Sequence, residues 1–390
     1  MSPLNRCHNI LDLRKLAKKR LPAPMFHYLD GGSDDEQSLR NNSDAFNAYH
    51  LLPRTLVDVS QVDLSTEILG QKIDWPVILA PTGMSRLFHY RGERAVAAAA
   101  QRAGTLYSLS TLSTTSIEDV AALSAGPKMF QIYVHRDRGL TRELMDRCRA
   151  ARFNALCLTV DVPVAGNRER DFYTGMSMPP RFTIKSLIDI ALHPRWVWGH
   201  LTQPKLELAN LRAHLDAAAS TGGSVAEYVS QQFDPSVTWK DAEWMISEWD
   251  GPFAIKGILC ADDAERAADA GASAIIISNH GGRQLDSVPA PIDLLAEIKN
   301  AVGDRLEIIL DGGVRRGTHV LKALAQGANA CMIGRAYLYG LGAGGEAGVD
   351  HALGILREEL ERGMALMGCT TVAQLTPQHL SRTRHDVSLL

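Results

Sequence analysis

Gly271-Ala272-Ser273-Ala274-Ile275-Ile276-Ile277-Ser278-Asn279-His280-Gly281-Gly282-Arg283 is the stretch from which the fold is read. A glycine stops a preceding helical pattern, and a short apolar run of strand length follows. A polar turn carrying two glycines closes the unit. The same wording returns fifty-six positions later as Gly327-Ala328-Asn329-Ala330, ahead of Cys331-Met332-Ile333 and then Gly334-Arg335. Working outward in both directions, a module of apolar strand, polar loop, Ala-rich helix and glycine repeats from Pro76 onward. Its strands are expected at 77–80, 106–109, 129–134, 155–160, 252–257, 274–277, 306–310 and 330–333. A helix over 93–103 ends at Gly104, and Ser116-Ile117-Glu118-Asp119 opens another with the pattern of a capping box. Eight short apolar strands alternating with helices argue for an α/β fold, a (β/α)8 TIM barrel. A doubly wound open sheet is the alternative, but it would want GxGxxG after the first strand, and none is there.

The segments outside the repeat complete the plan. Residues 1–75 form an N-terminal segment that opens with an amphipathic helix, Ile10, Leu13, Leu16 and Ala17 on one face, ended by Pro22 and Pro24. The barrel occupies 76–162 and 244–345, a C-terminal helical segment occupies 346–390, and the whole is expected to be a single domain. Residues 163–243 break the rhythm as a long insertion after strand four. They hold Pro179-Pro180, Pro194, Pro204, Trp196, Trp198, Trp239 and the Ser/Gly-rich run at 220–224. Residues 184–198 mix apolar, basic and Trp side chains, which suits a helix lying in a membrane interface and equally suits a lid on the barrel top.

Composition narrows the function classes. The 390 residues are 45% hydrophobic and 22% charged, with a formal net charge of −3, which gives no basic surplus for nucleic acid. The six cysteines are scattered without a CxxC pair, so reduced, packed thiols are expected. No apolar h-region marks the first residues and no apolar run is long enough to span a membrane. A cytoplasmic location follows as the expectation, with attachment to the inner face of the cytoplasmic membrane through 184–198 as its extension.

In a barrel, the chemistry gathers at the C-terminal strand ends. There the sequence places Pro81-Thr82-Gly83, Ser110-Thr111-Leu112, Gln131 with Tyr133, Thr159 with Asp161 and Arg168, Lys256, Ser278 with His280 and Arg283, Asp311-Gly312-Gly313-Val314-Arg315, and Gly334-Arg335. Singly, each is a polar strand end. Together they converge on one rim. The last two loops suit a phosphate, because glycines free backbone N–H groups and Arg315 and Arg335 add charge. A ligand with a phosphate tail and a reactive end over the barrel centre has the shape of FMN. Lys256 would then lie by the flavin's N1/O2 edge, although a barrel lysine can also form a Schiff base. Arg168 and Arg283 suit a substrate carboxylate, and His280 suits proton transfer. Tyr28 reads on pattern alone as a core aromatic.

These residues resemble the FMN-dependent L-2-hydroxy acid oxidases and dehydrogenases, a family that includes glycolate oxidase, flavocytochrome b2, bacterial L-lactate dehydrogenase and (S)-mandelate dehydrogenase. Ser-Asn-His-Gly-Gly-Arg-Gln-Leu-Asp at 278–286 carries the resemblance. Pro-Thr-Gly at 81–83, Phe-Gln-Ile-Tyr at 130–133, Leu-Thr-Val-Asp at 158–161, Ile-Lys-Gly at 255–257 and Leu-Tyr-Gly at 338–340 support it. The resemblance implies His280 as catalytic base, with Asp161 orienting it. It implies Arg283, Arg168 and Tyr28 on the substrate carboxylate, Tyr133 on the substrate oxygen and Lys256 at the flavin N1 side. Gln131, Thr159, Ser110, Ser278 and residues 81–83 would contact the flavin ring or ribityl, Asp311 the ribityl, and Gly313, Arg315, Gly334 and Arg335 the phosphate. It also implies a homotetramer.

Within the family, Gly83 stands where oxygen-using relatives commonly carry Ala, which favours a dehydrogenase with a quinone-type acceptor. Leu112 stands where glycolate oxidase carries Trp, leaving room beside the substrate's side chain. No haem-binding domain is expected ahead of the barrel. His193-Pro194-Arg195-Trp196-Val197-Trp198 and the run from Phe233 to Lys240 resemble bacterial L-lactate dehydrogenase. Gly166-Asn167-Arg168-Glu169-Arg170-Asp171 and the C-terminal third resemble mandelate dehydrogenase. L-lactate is therefore the expected substrate, (S)-mandelate or a broader oxygen-using activity the alternative. From other classes, a catalytically silent FMN-binding barrel is disfavoured by the intact His280, Arg283, Asp161 and Lys256, and an FMN isomerase or a Schiff-base aldolase would have to use Lys256.

Overall fold

The computed structural model describes residues 3–176, 180–215 and 234–382. Pro179, the 220–224 run and Phe233 lie outside them. Eight parallel strands close on themselves: β1 (Val77–Leu79), β2 (Tyr107–Ser110), β3 (Lys128–Ile132), β4 (Ala155–Thr159), β5 (Phe253–Ile258), β6 (Ala274–Ile277), β7 (Glu307–Asp311) and β8 (Ala330–Ile333). The closing pair, β8 on β1, aligns Cys331 with Val77 and Ile333 with Leu79, so the sheet has no open edge and the doubly wound alternative fails.

Each strand buries both faces. Ile78, Met129, Cys157, Ala254, Ile276, Ile309 and Met332 fill the barrel interior, while their neighbours Val77, Leu79, Phe130, Leu156, Ile275 and Leu310 pack outward under the helices. This explains why the strands read as continuous apolar runs without alternation. A hairpin of Thr66–Ile68 and Gln71–Ile73 plugs the N-terminal end with Ile68, Leu69 and Ile73. The C-terminal end is therefore the open one.

The N-terminal segment wraps toward that open end. Helix Ile10–Arg20, capped by Asn9, buries Ile10, Leu13 and Ala17, and Ala17 meets the long helix Arg335–Met367 near Gly342. Helices Ala23–Asp30 and Gln37–Asp44 follow. Tyr49–Leu51 pairs antiparallel with Leu380–Arg382.

Between β4 and helix Trp239–Trp249, the insertion contributes helices Glu169–Thr174, Ile184–Ala191 and Pro194–Leu201. They dock on the barrel top. Asp189 accepts the Ala23 N–H at 2.6 Å, and Trp196 Nε1 donates to the Leu87 carbonyl at 2.8 Å. Their other side leaves Ile184, Leu187, Ile188, Leu192, Trp198 and Leu201 exposed. These helices thus both cover the barrel top and present an exposed apolar face. Among the described residues no helix is long and apolar enough to cross a membrane.

Candidate active site

A cavity of about 1160 Å³ opens at the C-terminal strand ends. Of the site residues expected from sequence, only Asp161 and Ser278 do not line it. Those two stand behind residues that do.

His280 follows β6 with φ +55, and Gly281 and Gly282 continue the left-handed run at +66 and +71. Its Nδ1 lies 3.0 Å from Asp161 Oδ1. A carboxylate only accepts, so Nδ1 carries the proton and Nε2 remains an acceptor. Burial pushes the Asp161 carboxyl up, but the charge and hydrogen bond of His280 and the charge of Lys256 outweigh it, and the net shift is downward. Asp161 is therefore an anion at neutral pH, and its Oδ2 is buried without a hydrogen-bond partner. The pair can take up a proton at Nε2 and stabilise the resulting imidazolium.

Lys256 lies two residues before the end of β5 and is buried. Its Nζ donates to Ser278 Oγ at 2.7 Å and pairs with Asp311 Oδ2 at 2.9 Å. Ser278 Oγ in turn donates to Asp311 Oδ2 at 2.8 Å and accepts the His280 N–H at 3.1 Å. The Ser278 hydroxyl thus supports Lys256 and the His280 loop. Burial pulls the Lys256 ammonium down, but Asp311 and Asp161 outweigh that and hold it above its ordinary value. A lysine kept cationic is a poor nucleophile, which argues against the Schiff-base alternative. Its third N–H is left for a ligand.

Two other buried polar atoms on the same side have no partner: Gln131 Nε2 on β3 and Thr159 Oγ1 at the end of β4. Gln131 Oε1 is already held by Ser110 Oγ at 3.1 Å. Unsatisfied buried groups are uncommon, and three polar atoms converging on one edge call for a planar partner with several polar edge atoms. A flavin pyrimidine edge meets that demand. At the far side Gly313 (φ +78) and Gly334, which caps the long helix, leave backbone N–H groups and a helix N-terminus toward the cavity beside Arg315. The residues present therefore fit FMN, lying from Gln131, Thr159 and Lys256 to Gly313, Arg315 and Gly334, with Pro81, Thr82 and Gly83 lining the cavity between.

Arg335 has backbone partners that the sequence does not show. Its guanidinium donates to the carbonyls of Leu29 (3.1 Å), Gly31 (2.7 Å) and Gly281 (2.7 Å), which leaves two N–H groups for an anion. It fastens the N-terminal segment to the His280 loop.

Arg283 Nη1 donates to the Tyr28 and Gly31 carbonyls at 2.8 and 3.1 Å. Its guanidinium sits 5.1 Å from the Tyr28 ring centre, and that of Arg168 sits 5.7 Å from it. Tyr28 is thus a cavity wall between two cations. Burial, then repulsion from Arg168, pulls Arg283 down to about 10. It stays charged at pH 7, and the two neighbouring cations favour an anionic ligand. Tyr133 is kept protonated by burial and by the nearby Asp161, so its hydroxyl can donate into the cavity.

On the opposite wall, Gly83 faces Leu112. A Cβ at 83 would lie 3.1 Å from the Leu112 Cβ. Sequence reading missed the amide pair that joins this rim to the N-terminal segment: Asn42 and Asn279 exchange side-chain hydrogen bonds at 2.8 and 2.7 Å. Only the position of Asn279 inside the signature stretch hinted at it. Gly313 and Gly282 are also glycines for that reason, since a Cβ would meet the Asn42 carbonyl or the Leu39 backbone.

The comparisons with known proteins agree with this geometry. The family model for FMN-dependent dehydrogenase matches residues 17–382. A putative L-lactate dehydrogenase of Mycobacterium tuberculosis is 44% identical over 96% of this chain and 89% of its own length. An L-lactate dehydrogenase of Alcaligenes faecalis is 42% identical over 95% and 98%. An L-lactate oxidase of Nostoc sp. is 43% identical over 97% and 100%. Among solved structures, the monotopic membrane protein (S)-mandelate dehydrogenase superposes with a TM-score of 0.92 at 37% identity, covering 97% of this chain and all of that one. A mandelate oxidase variant superposes at 0.81 with 36% identity over 97% and 98%. The chain belongs to the FMN-dependent dehydrogenase family, whose members oxidise L-2-hydroxy acids with FMN as cofactor.

Proposed function

We propose that the protein is an L-lactate dehydrogenase that forms pyruvate and delivers the electrons to a quinone-type acceptor. The His280–Asp161 pair facing buried Arg283, which has no carboxylate in an ion pair among the described residues, and Arg168, paired with Asp171 at 3.5 Å, across one cavity is the observation that carries the reading. When bound, FMN supplies the two-electron acceptor. Arg283 and Arg168 hold the substrate carboxylate beside Tyr28. Tyr133 donates to the substrate's 2-oxygen, and His280 Nε2 receives a substrate proton. Asp161 stabilises the imidazolium, and Lys256 supports negative charge at the flavin's N1 side. Gln131, Thr159 and Ser110 meet the ring, Asp311 the ribityl, and Gly313, Arg315, Gly334 and Arg335 the phosphate.

The test is anaerobic flavin reduction by L-lactate, followed by turnover with a quinone analogue and, separately, with oxygen. Bleaching by lactate with fast quinone turnover supports the reading; faster reoxidation by oxygen than by the quinone overturns the acceptor. His280→Ala should keep FMN bound and lose nearly all reduction, and normal reduction in that variant refutes the base.

A second substrate, (S)-mandelate, is favoured by one feature: the wall at Gly83 and Leu112 carries no aromatic ring, and Phe88, Leu206 and Leu208 line the same cavity. A kcat/KM for (S)-mandelate above that for L-lactate would reverse their order. The exposed apolar face of Ile184, Ile188, Leu192 and Trp198 supports contact with a membrane surface. Co-sedimentation with anionic vesicles that survives in the Ile184/Ile188/Leu192→Ser variant would remove that part. The assembly is proposed as a homotetramer, to be measured by sedimentation.

A further inference from the structure

One buried carboxylate lies outside the site just described. Glu93 is fully buried in the first turn of helix Gly92–Arg102. No cation among the described residues pairs with it. It is held by four donors from the loops after β1 and β2. Its Oε1 accepts the N–H groups of Ser85 and Thr114, each at 3.0 Å. Its Oε2 accepts the hydroxyls of Thr114 at 2.6 Å and Thr115 at 3.1 Å. One side chain therefore ties together two loops that are distant in sequence.

Those loops are the ones that carry Gly83 and Leu112. Beside the carboxylate they share one direct backbone bond, Met84 N–H to the Leu112 carbonyl at 2.9 Å. The second loop is also tied outward to the insertion: Asn210 Nδ2 donates to Ser113 Oγ at 2.9 Å, and Ser113 O accepts the Ala209 N–H at 3.1 Å. The separation of Gly83 from Leu112 is thus set by a rigid buried clamp and is not left to two surface loops. Four hydrogen bonds from two loops onto one buried side chain leave neither loop free to move without the other.

We propose that Glu93 is a positioning residue for substrate selectivity, fixing the wall formed by Gly83 and Leu112 against which the side chain of the 2-hydroxy acid lies. The residue touches neither substrate nor FMN. It rests on the reading that the substrate's side chain faces this wall while its carboxylate is held by Arg283 and Arg168. Removing the clamp loosens one side of the pocket and leaves the His280, Lys256 and arginine side intact. Small substrates should notice little. Substrates that fill the space should lose discrimination.

The experiment measures anaerobic flavin reduction by the holoenzyme with glycolate, L-lactate, L-2-hydroxyhexanoate and (S)-mandelate in wild type, Glu93→Ala and Glu93→Gln. In Glu93→Ala the ratio of kcat/KM between the largest substrate and glycolate should change by about tenfold or more, while the limiting rate with glycolate stays within roughly threefold. Glutamine can reproduce all four contacts, because its oxygen accepts the two N–H groups and its amide donates to the two hydroxyls. Glu93→Gln should therefore restore the wild-type ratio. An unchanged ratio in Glu93→Ala, or an equal loss on every substrate including glycolate, overturns the proposal. If Glu93→Ala does not retain FMN, the Thr114/Thr115→Val double variant decides, since it removes both hydroxyls but keeps the backbone bonds. A shifted ratio supports the clamp and an unshifted one overturns it. Absence of reduction by all four acids in wild type would instead refute the functional reading on which this rests.

Discussion

Asp161→Asn isolates the charge behind the catalytic histidine. The amide oxygen can still accept the His280 Nδ1 proton at the 3.0 Å separation seen for the carboxylate, so the tautomer and ring orientation survive. What disappears is the negative charge. The carboxylate is held ionised by His280 and Lys256 against its burial, and its second oxygen has no other partner to share the charge. Two estimates bound the loss. A hydrogen bond to a charged group is worth about 1.5–3 kcal/mol, and a pair of charges 4 Å apart near a protein surface attracts by about 4 kcal/mol. Taking about 3 kcal/mol, the limiting rate of flavin reduction should fall roughly 10²-fold, since each 1.36 kcal/mol is tenfold. KM for L-lactate should change much less, because Arg283 and Arg168 are untouched. Anaerobic stopped-flow reduction across a lactate titration separates the two. A variant that reduces its flavin within about threefold of the wild-type rate would show that Asp161 does no more than orient the ring.

Three further outcomes follow from the same geometry. Tyr133→Phe removes a hydroxyl kept protonated by burial and Asp161, and kcat/KM for L-lactate should fall about tenfold or more with FMN affinity unchanged, as read by flavin fluorescence. Gly83→Ala brings a methyl to 3.1 Å from the Leu112 Cβ. The pocket narrows, so kcat/KM should drop several-fold more for (S)-mandelate than for L-lactate in steady-state assays. Asp30 is raised by burial but lowered more by the hydrogen bonds of Arg14 and Tyr339, to about 2. Its folded value is depressed, so it contributes about 2 kcal/mol of stability above pH ~4 that is lost as pH falls toward ~2. Urea denaturation of wild type and Asp30→Asn should show a gap at pH 7 that falls to about half by pH ~3 and closes only as pH drops below ~2; a constant gap would mean the charge is not what matters.

The eight strands were legible because each is buried on both faces and reads as a plain apolar run between a helix-stopping glycine and a polar turn. Their observed ends fall within a few residues of expectation. The rim residues were legible for a related reason: polar groups directly after apolar runs have one place to go in a closed barrel. What the sequence hid is support from a distance. Arg335 reads as a phosphate ligand from its place after Gly334, and local sequence does not show that three of its N–H groups also hold the carbonyls of Leu29, Gly31 and Gly281. Ser278 reads as a flavin contact, and the sequence does not show that its hydroxyl also links Lys256 to Asp311. Glu93 reads as an ordinary helix-start acid, and its four donors come from positions no helical or strand period would bring to it. Such contacts depend on how segments far apart in the chain meet, which local periodicity does not record.

The signature stretch shows why its residue types are so constrained. Three consecutive left-handed residues are costly, and His280 is the one among them without a glycine's freedom, at roughly 1–2 kcal/mol. The conformation is held from every side. Ser278 Oγ accepts the His280 N–H, and Asn279 Oδ1 and its carbonyl accept the Gly282 N–H at 3.1 and 3.0 Å. Arg335 holds the Gly281 carbonyl, and the Ser33 N–H holds that of Gly282 at 2.9 Å. Gly282 must also pass the Leu39 backbone, where a Cβ would come within 2.5 Å. Of the residues from 278 to 282, His280 alone therefore delivers a side chain into the cavity. Helix Gln37–Asp44 supplies Leu39 and Asn42 to that loop, and the turn before it supplies Ser33. They are a working part of the catalytic site, because the strained turn that aims His280 Nε2 is held by them as much as by the barrel.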